Sequence, residues 1–264
     1  MMNIRNYVRA QSLEEAYDLL QKNKRNRVIG GMLWLKMTNV NVPTAIDLCD
    51  LGLDTIEETD EHFSIGAMVS LRQLEQHPAL GTYTQNALAK SVGDIVGVQF
   101  RNMATVGGSI FGRFGFSDVL TMFLAMDTYV ELYKEGLVPL TEFAARRKKE
   151  RDILVRLIVK KQAGAFAYES MRNSKTDFPV LACAAGSWAG QTRVVIGARP
   201  ARAMVLTDEH GILKNGITEE TTVAFAAYAA ANTPTSGNIR AGAAYRTHLI
   251  EVLTKRALLG LGGN

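Results

Sequence analysis

Thiol chemistry is nearly absent from this chain. Two cysteines in 264 residues, Cys49 and Cys183, are too few for an iron–sulfur cluster, which takes about four thiolates. They lie far apart inside apolar stretches, which fits reduced, buried thiols in a cytosolic protein better than a disulfide framework. Histidine is as sparse: His62, His77, His210 and His248 are dispersed without metal-ligand spacing, so no zinc site is expected. No unbroken apolar run reaches membrane-crossing length. The opening stretch MMNIRNYVRAQSLEEAYDLL has no apolar core of signal-peptide length, so the cytoplasm is the expected compartment. Charge of one sign is not in excess. The formal net charge is +4, and Lys and Arg are scattered rather than interleaved with aromatics, which argues against a nucleic-acid groove. Internal repeats and low-complexity linkers are also missing.

What is present is ordinary globular composition, 47% hydrophobic and 21% charged, in a length that suits two domains or one large one. Ser12-Leu13-Glu14-Glu15 reads as a capping box: the Ser12 hydroxyl accepts from the Glu15 N–H and the Glu15 carboxylate reaches back. A helix to about Lys22 follows, with Leu13, Ala16, Tyr17 and Leu20 on one face. Short strands at Arg27–Ile29 and Thr44–Leu48 flank Gly30-Gly31 and a helix-like Leu33–Met37, an α/β alternation. This first subdomain is expected over residues 1–55. A second, over 56–162, begins with a strand at Phe63–Ala67 and a helix from Ser70. It continues with one long helical stretch from Leu80 to Gly97, a helix over Asp118–Met126 and a strand at Tyr129–Tyr133. The charge run Arg146–Arg151 is expected as a solvated loop. The third, over 163–264, has alternating runs at Phe166–Met171, Val180–Trp188 and Thr192–Gly197, then an alanine-rich helix and an amphipathic terminal helix from Tyr245. Strands followed by helices predict an α+β fold.

The segment ATVGGSIFGRFGFSDVL, residues 104–120, carries the main functional question. Glycines this dense let a backbone approach something closely. The G-x-G-x-x-G spacing of a dinucleotide fingerprint is missing. Gly107 and Gly112 have P-loop spacing, but Arg113-Phe114 stands where Lys and a hydroxyl belong. Two readings remain: tight turns alone, or a backbone nest for a diphosphate formed with Gly30-Gly31 on the opposite wall.

In order, Val28-Ile29-Gly30-Gly31, then Gln99-Phe100-Arg101-Asn102-Met103-Ala104-Thr105-Val106-Gly107-Gly108, then Ser117-Asp118-Val119-Leu120 resembles the FAD-binding subunit of molybdenum hydroxylases. This is the family of the xanthine dehydrogenase flavin subunit, the carbon monoxide dehydrogenase medium subunit and nicotinate dehydrogenase. Asn238–Leu249 and Leu253–Leu258 look like that family's C-terminal signature. The resemblance implies a two-subdomain FAD-binding fold of the vanillyl-alcohol-oxidase (PCMH) type, followed by a small α+β domain. It implies that Ile29, Gly30, Gly31, Met32, Leu33, Trp34 and Leu35 form a first loop whose amides hold the FAD diphosphate. Ala104, Thr105, Val106, Gly107, Gly108 and Ser109 would form a second loop on the other side. Asp118, next to Ser117, would accept from the cofactor's hydroxyls, the bland alternative being a helix N-terminal cap. Leu154 falls where the family has an apolar residue against the flavin.

Departures from the pattern accompany the likeness. Met32-Leu33 replace a usual Thr-Asp, and Ser109 replaces an Asn. Ser170 and Asn173 stand where the family has Lys and Arg, with Arg172 and Lys175 close by. Trp34 could stack on a ring, although a buried core tryptophan is the commoner use. The implied function is an electron-transfer oxidoreductase subunit. It would carry electrons from a partner's 2Fe-2S clusters through FAD to NAD+ or another acceptor, while a molybdopterin-containing large chain performs the hydroxylation. The rival is an assembly subunit of the same complex that has lost tight flavin binding, motivated by the replaced positions.

Overall fold

The computed structural model describes residues 2–147 and 151–262. Its strands are β1 (Asn3–Arg9), β2 (Arg27–Ile29), β3 (Asn41–Asp47), β4 (Ile56–Glu58), β5 (His62–Gly66), β6 (Thr128–Leu132), β7 (Gly136–Pro139), β8 (Leu154–Lys160), β9 (Gly164–Met171), β10 (Leu181–Trp188), β11 (Gln191–Gly197) and β12 (Met204–Thr207). Its helices are α1 (Leu13–Lys22), α2 (Leu71–Gln76), α3 (Pro78–Tyr83), α4 (Ala87–Gly93), α5 (Val98–Met103), α6 (Val106–Phe111), α7 (Asp118–Leu124), α8 (Leu140–Ala145), α9 (Glu219–Asn232) and α10 (Ala243–Leu261). None of the described helices is long and apolar enough to cross a membrane.

The chain folds into two compact units, each assembled from three stretches of sequence. One comprises Met1–Gln73, Val98–Gly112 and Thr128–Lys161; the other comprises Leu74–Gly97, Arg113–Asp127 and Gln162–Asn264.

The first unit holds two sheets. The smaller is parallel, in the order β1-β3-β2, as the α/β alternation predicts. Helix α1 covers it with Ala16 and Leu20 buried. The cap at Ser12 forms as expected, the Glu15 N–H donating to its hydroxyl at 3.1 Å. The Glu15 carboxylate accepts instead from the N–H of Gln11, at 2.8 Å. The larger sheet is antiparallel, in the order β4-β5-β8-β6-β7.

Two expectations are corrected here, those for Cys49 and Trp34. Cys49 is exposed rather than buried, because it follows β3 on a turn where its N–H is held by the Asp47 carboxylate at 3.0 Å. Trp34 is 37% exposed rather than a core residue. The described residues of the charge run lie in irregular chain, with Arg147 exposed and both ends making surface contacts. Arg146 grips Glu135 with both terminal nitrogens and also reaches Glu142. Arg151 donates to the carbonyls of Leu20, Asn23 and Lys24 at the end of α1. Residues 148–150 lie outside the described residues.

The second unit carries an antiparallel sheet in the order β12-β11-β10-β9, with α9 and α10 packed beside it. In α10, Leu249, Ile250, Leu253, Ala257, Leu258 and Leu261 form the buried stripe, and they share a core with Val180, Cys183, Ile196 and Phe225. Arg246, 1% exposed, lies in that stripe. Its guanidinium donates to the carbonyls of Val180, Ser236 and Ala241 and to Asn238 Oδ1 at 2.7–2.9 Å. Such bonds let a buried cation be tolerated without a carboxylate partner. The single long helix expected over Leu80–Gly97 is two helices, α3 and α4. The break is at Gln85 and Asn86, whose φ angles of 49° and 64° lie in the left-handed region. Asparagine enters that region more readily than most residues.

Candidate functional site

The first glycine loop leaves β2 at Ile29 and turns at once. Side chains of Met32 and Leu35 fold inward onto a small core of Ile29, Val42 and Ala45, whereas Trp34 points outward. The turn is held through its carbonyls: Met32 accepts from the Lys36 N–H at 3.0 Å, Trp34 from Met37 at 3.2 Å and Leu35 from Thr38 at 3.0 Å. The N–H groups of Gly30, Gly31, Met32 and Leu33 meet no protein acceptor among the described residues. Met32 itself has φ 56°, an unfavourable value for a non-glycine residue that the packing of its side chain maintains. A row of main-chain donors lacking internal partners suits an anion with several oxygens.

Both glycines of this loop are required by what they press against. A Cβ at Gly31 would lie 1.8 Å from the Met103 carbonyl oxygen, and one at Gly30 would lie 2.5 Å from Thr105 Oγ1. The two glycine loops therefore do come together, with Gly30-Gly31 seated on Met103–Thr105.

The second loop differs from expectation in its amides. The Ala104 N–H donates to Phe100 O at 2.8 Å, Val106 to Val69 O at 2.8 Å, Gly107 to Ala67 O at 2.8 Å and Ser109 to Thr105 O at 3.1 Å. The Gly108 N–H is capped by Thr105 Oγ1 at 3.1 Å. These five amides are engaged internally, so the segment braces the first loop, and within it the Thr105 N–H alone meets no protein acceptor among the described residues. Gly107 is glycine because a Cβ there would sit 2.7 Å from the Ala67 carbonyl oxygen. The Ser109 hydroxyl likewise turns back to Thr105 O, at 3.0 Å.

Ser117 and Asp118 belong to the second unit. The N-cap of α7 is Ser117, whose hydroxyl accepts from the Leu120 N–H at 3.1 Å. The reading of Asp118 as a plain cap is thereby overturned. Asp118 is 5% exposed, and its Oδ1 accepts from Arg172 Nη2 at 2.8 Å and from the Tyr168 hydroxyl. Burial pushes its carboxyl above the ordinary aspartate range, while the Arg172 charge and the Tyr168 bond oppose the shift. Burial likewise holds the Tyr168 phenol well above its usual value, reinforced by the Asp118 charge.

Tyr168 is the partner of the Asp118 carboxylate that sequence reasoning missed. The period of two along β9 puts Tyr168, Ser170 and, just past the strand end, Arg172 on one face, and that alternation was the available signal. Ser170 pairs across the sheet with Ala182. Asn173 donates to the Arg240 carbonyl at 3.1 Å. Leu154, 5% exposed, opens β8 in the first unit, in register with Leu132.

Two family profiles match the chain: the FAD binding domain in molybdopterin dehydrogenase over residues 2–176, and the CO dehydrogenase flavoprotein C-terminal domain over residues 166–261. A protein of Escherichia coli strain K12 that carries the name of a xanthine dehydrogenase FAD-binding subunit, XdhB, is 25% identical, over 98% of this chain and 96% of its own. Aldehyde oxidase 2 of Cavia porcellus is 34% identical over 92 residues, 32% of this chain, and the match spans only 7% of that protein's length. Among solved structures, carbon monoxide dehydrogenase from Hydrogenophaga pseudoflava aligns with a TM-score of 0.85 at 23% identity, covering 97% of this chain and 96% of that one. Quinoline 2-oxidoreductase from Pseudomonas putida 86 aligns at 0.83 and 21%, with the same coverage. At these identities the structural likeness is one of fold.

Proposed function

Because the chain belongs to the family of FAD-binding domains of molybdopterin dehydrogenases, we propose that it is the flavin-bearing electron-transfer subunit of a molybdenum hydroxylase complex. It is an oxidoreductase component whose cofactor is FAD. Bound FAD supplies the redox chemistry, taking up electrons one at a time and passing them on as a pair. Partner chains with 2Fe-2S clusters and molybdopterin would feed it, and NAD+ or another soluble acceptor would drain it, in the cytoplasm.

The observation that carries this reading is the set of unengaged amides at Gly30, Gly31, Met32 and Leu33. They would hold the diphosphate by main-chain donation. Loss of the family's Thr-Asp at Met32-Leu33 removes a hydroxyl donor and a carboxylate charge but leaves these N–H groups in place. Ala104–Ser109 would act as the rigid back wall that keeps the first loop in its donating shape. Asp118, with Ser117 beside it, would accept from a hydroxyl of the cofactor's ribityl or ribose part while Arg172 and Tyr168 fix its orientation. Arg172 would also supply the positive charge that Ser170 and Asn173 lack. Leu154 would contribute apolar packing.

The second reading, an assembly subunit without tightly held flavin, is favoured by the internally engaged amides of the second loop and by the commitment of Asp118 to Arg172. Purifying the chain and recording its visible spectrum separates the two. Oxidised-flavin bands, retained through gel filtration, support the first; a colourless protein that added FAD leaves colourless supports the second.

A further inference from the structure

We infer that Trp34 is the platform on which the adenine of the cofactor stacks, so that the first glycine loop selects a flavin adenine dinucleotide over a flavin mononucleotide. The inference deepens the reading in which Gly30 to Leu33 hold the diphosphate and rests on it.

The geometry begins with the direction of side chains in the turn. Met32 and Leu35 enter the core beside Ile29, Val42 and Ala45, which leaves Trp34 outside and 37% exposed. An indole normally sheds water when the fold allows, and one left at the surface beside a row of unengaged donors needs a reason. The ring is also braced. Its centroid lies 5.9 Å from that of Phe100, the planes at 65°. Phe100 belongs to α5, the helix whose last residue, Met103, presents its carbonyl to Gly31. One short segment thus fixes both the glycine turn and the indole.

Trp34 follows Gly30 by four residues. In FAD the adenine is joined to the diphosphate through a single ribose, so a ring this near the phosphate donors lies within reach of that end of the molecule. Stacking needs no directional bond and no charge, which agrees with a loop that offers amides and an aromatic surface.

The test uses the full-length protein and three ligands: FAD, ADP, which has the adenosine and diphosphate without the flavin, and FMN, which has the flavin without the adenine. Affinities are measured by flavin fluorescence and calorimetry. They are complemented by tryptophan quenching in a Trp188→Phe background, where Trp34 is the only tryptophan. Trp34→Ala should weaken FAD and ADP by about tenfold or more and leave FMN unchanged. Trp34→Phe should recover most of the loss, and ADP alone should quench Trp34 emission. Equal FAD affinity in Trp34→Ala overturns the platform, as does a matching loss for FMN, which would assign the indole to the flavin ring instead. Gly31→Ala tells the two levels apart. If that variant loses FAD and Trp34→Ala does not, the diphosphate loop stands and the platform falls. If the unaltered chain binds neither FAD nor ADP, both fall.

Discussion

The carboxylate of Asp118 shares one oxygen between the Arg172 guanidinium and the Tyr168 hydroxyl, in surroundings that nevertheless make its proton harder to remove than in water. Replacing Arg172 by Met leaves that carboxylate buried without its counter-charge and with only the Tyr168 hydroxyl as a side-chain donor, and the expected cost at neutral pH is about 3–5 kcal/mol. The sign with pH follows from linkage. A carboxyl whose folded pKa is raised holds its proton more tightly in the native state, so stability falls as pH rises through the interval between the unfolded and folded values. The Arg172→Met variant, with a still higher folded value, should recover stability on acidification more than the unaltered protein does; urea melts at neutral and mildly acidic pH measure it. Asp118→Ala should weaken FAD retention in equilibrium dialysis, and an unchanged dissociation constant would remove its cofactor role. Ser117-Asp118 was legible as a site candidate because its sequence context is distinctive. Tyr168 was not, since a tyrosine inside an alternating strand looks like any core aromatic until β9 is placed beside α7.

At the scale of elements, the glycine loops show why local sequence gives positions better than it gives roles. Gly30, Gly31 and Gly107 each mark a close approach, as glycine density implies, but what they approach is the protein itself: the Thr105 side chain for Gly30, and the backbone carbonyls of Met103 and Ala67 for Gly31 and Gly107. Only the accounting of N–H groups tells the loop with a row of unengaged amides from the one whose amides are mostly engaged, and that accounting depends on Ala67 and Val69, which precede the second loop by more than thirty residues. Gly31→Ala forces a Cβ against the Met103 carbonyl. It should both destabilise the first unit, by roughly 1–3 kcal/mol as overpacked sites do, and abolish FAD retention, measured by melting and by visible absorbance. Thr105→Val keeps the shape but removes the acceptor of the Gly108 N–H, and the expected loss is about 1 kcal/mol. The divided Leu80–Gly97 stretch has a comparable cause. Its apolar spacing continues through Gln85-Asn86, and the interruption comes from backbone angles that periodicity does not encode.

For the whole molecule, the α+β class and the strands-then-helices order of the C-terminal part were readable from alternation and composition, because each sheet has a face to bury. The interleaving of the two units was not, since it depends on which distant strands pair. Alkaline stability offers a global check. Burial raises the Cys183 thiol from 9.0 to about 12. Between those values the unfolded chain ionises while the folded one does not, so stability should fall as pH rises, by about 1.4 kcal/mol per pH unit for this one group. Cys183→Ala should flatten that limb of the pH profile in chemical-denaturation experiments. At the level of assembly, native purification is expected to bring down a large molybdenum-containing chain and a small iron–sulfur chain. Recovery of the flavin chain alone under gentle conditions would count against the proposed complex.

The division of each unit into three separate stretches of chain has a consequence for synthesis. As the polypeptide leaves the ribosome, the first unit is not complete until Lys161 has emerged, and helices α3, α4 and α7 of the second are made long before the sheet in that unit against which α4 and α7 pack. Those helices, with α7 buried along its whole length, must wait with apolar surface uncovered. The protein is thus exposed to chaperone capture and to premature proteolysis during that interval, and no single cut in the gene would release either half as an independent folding piece.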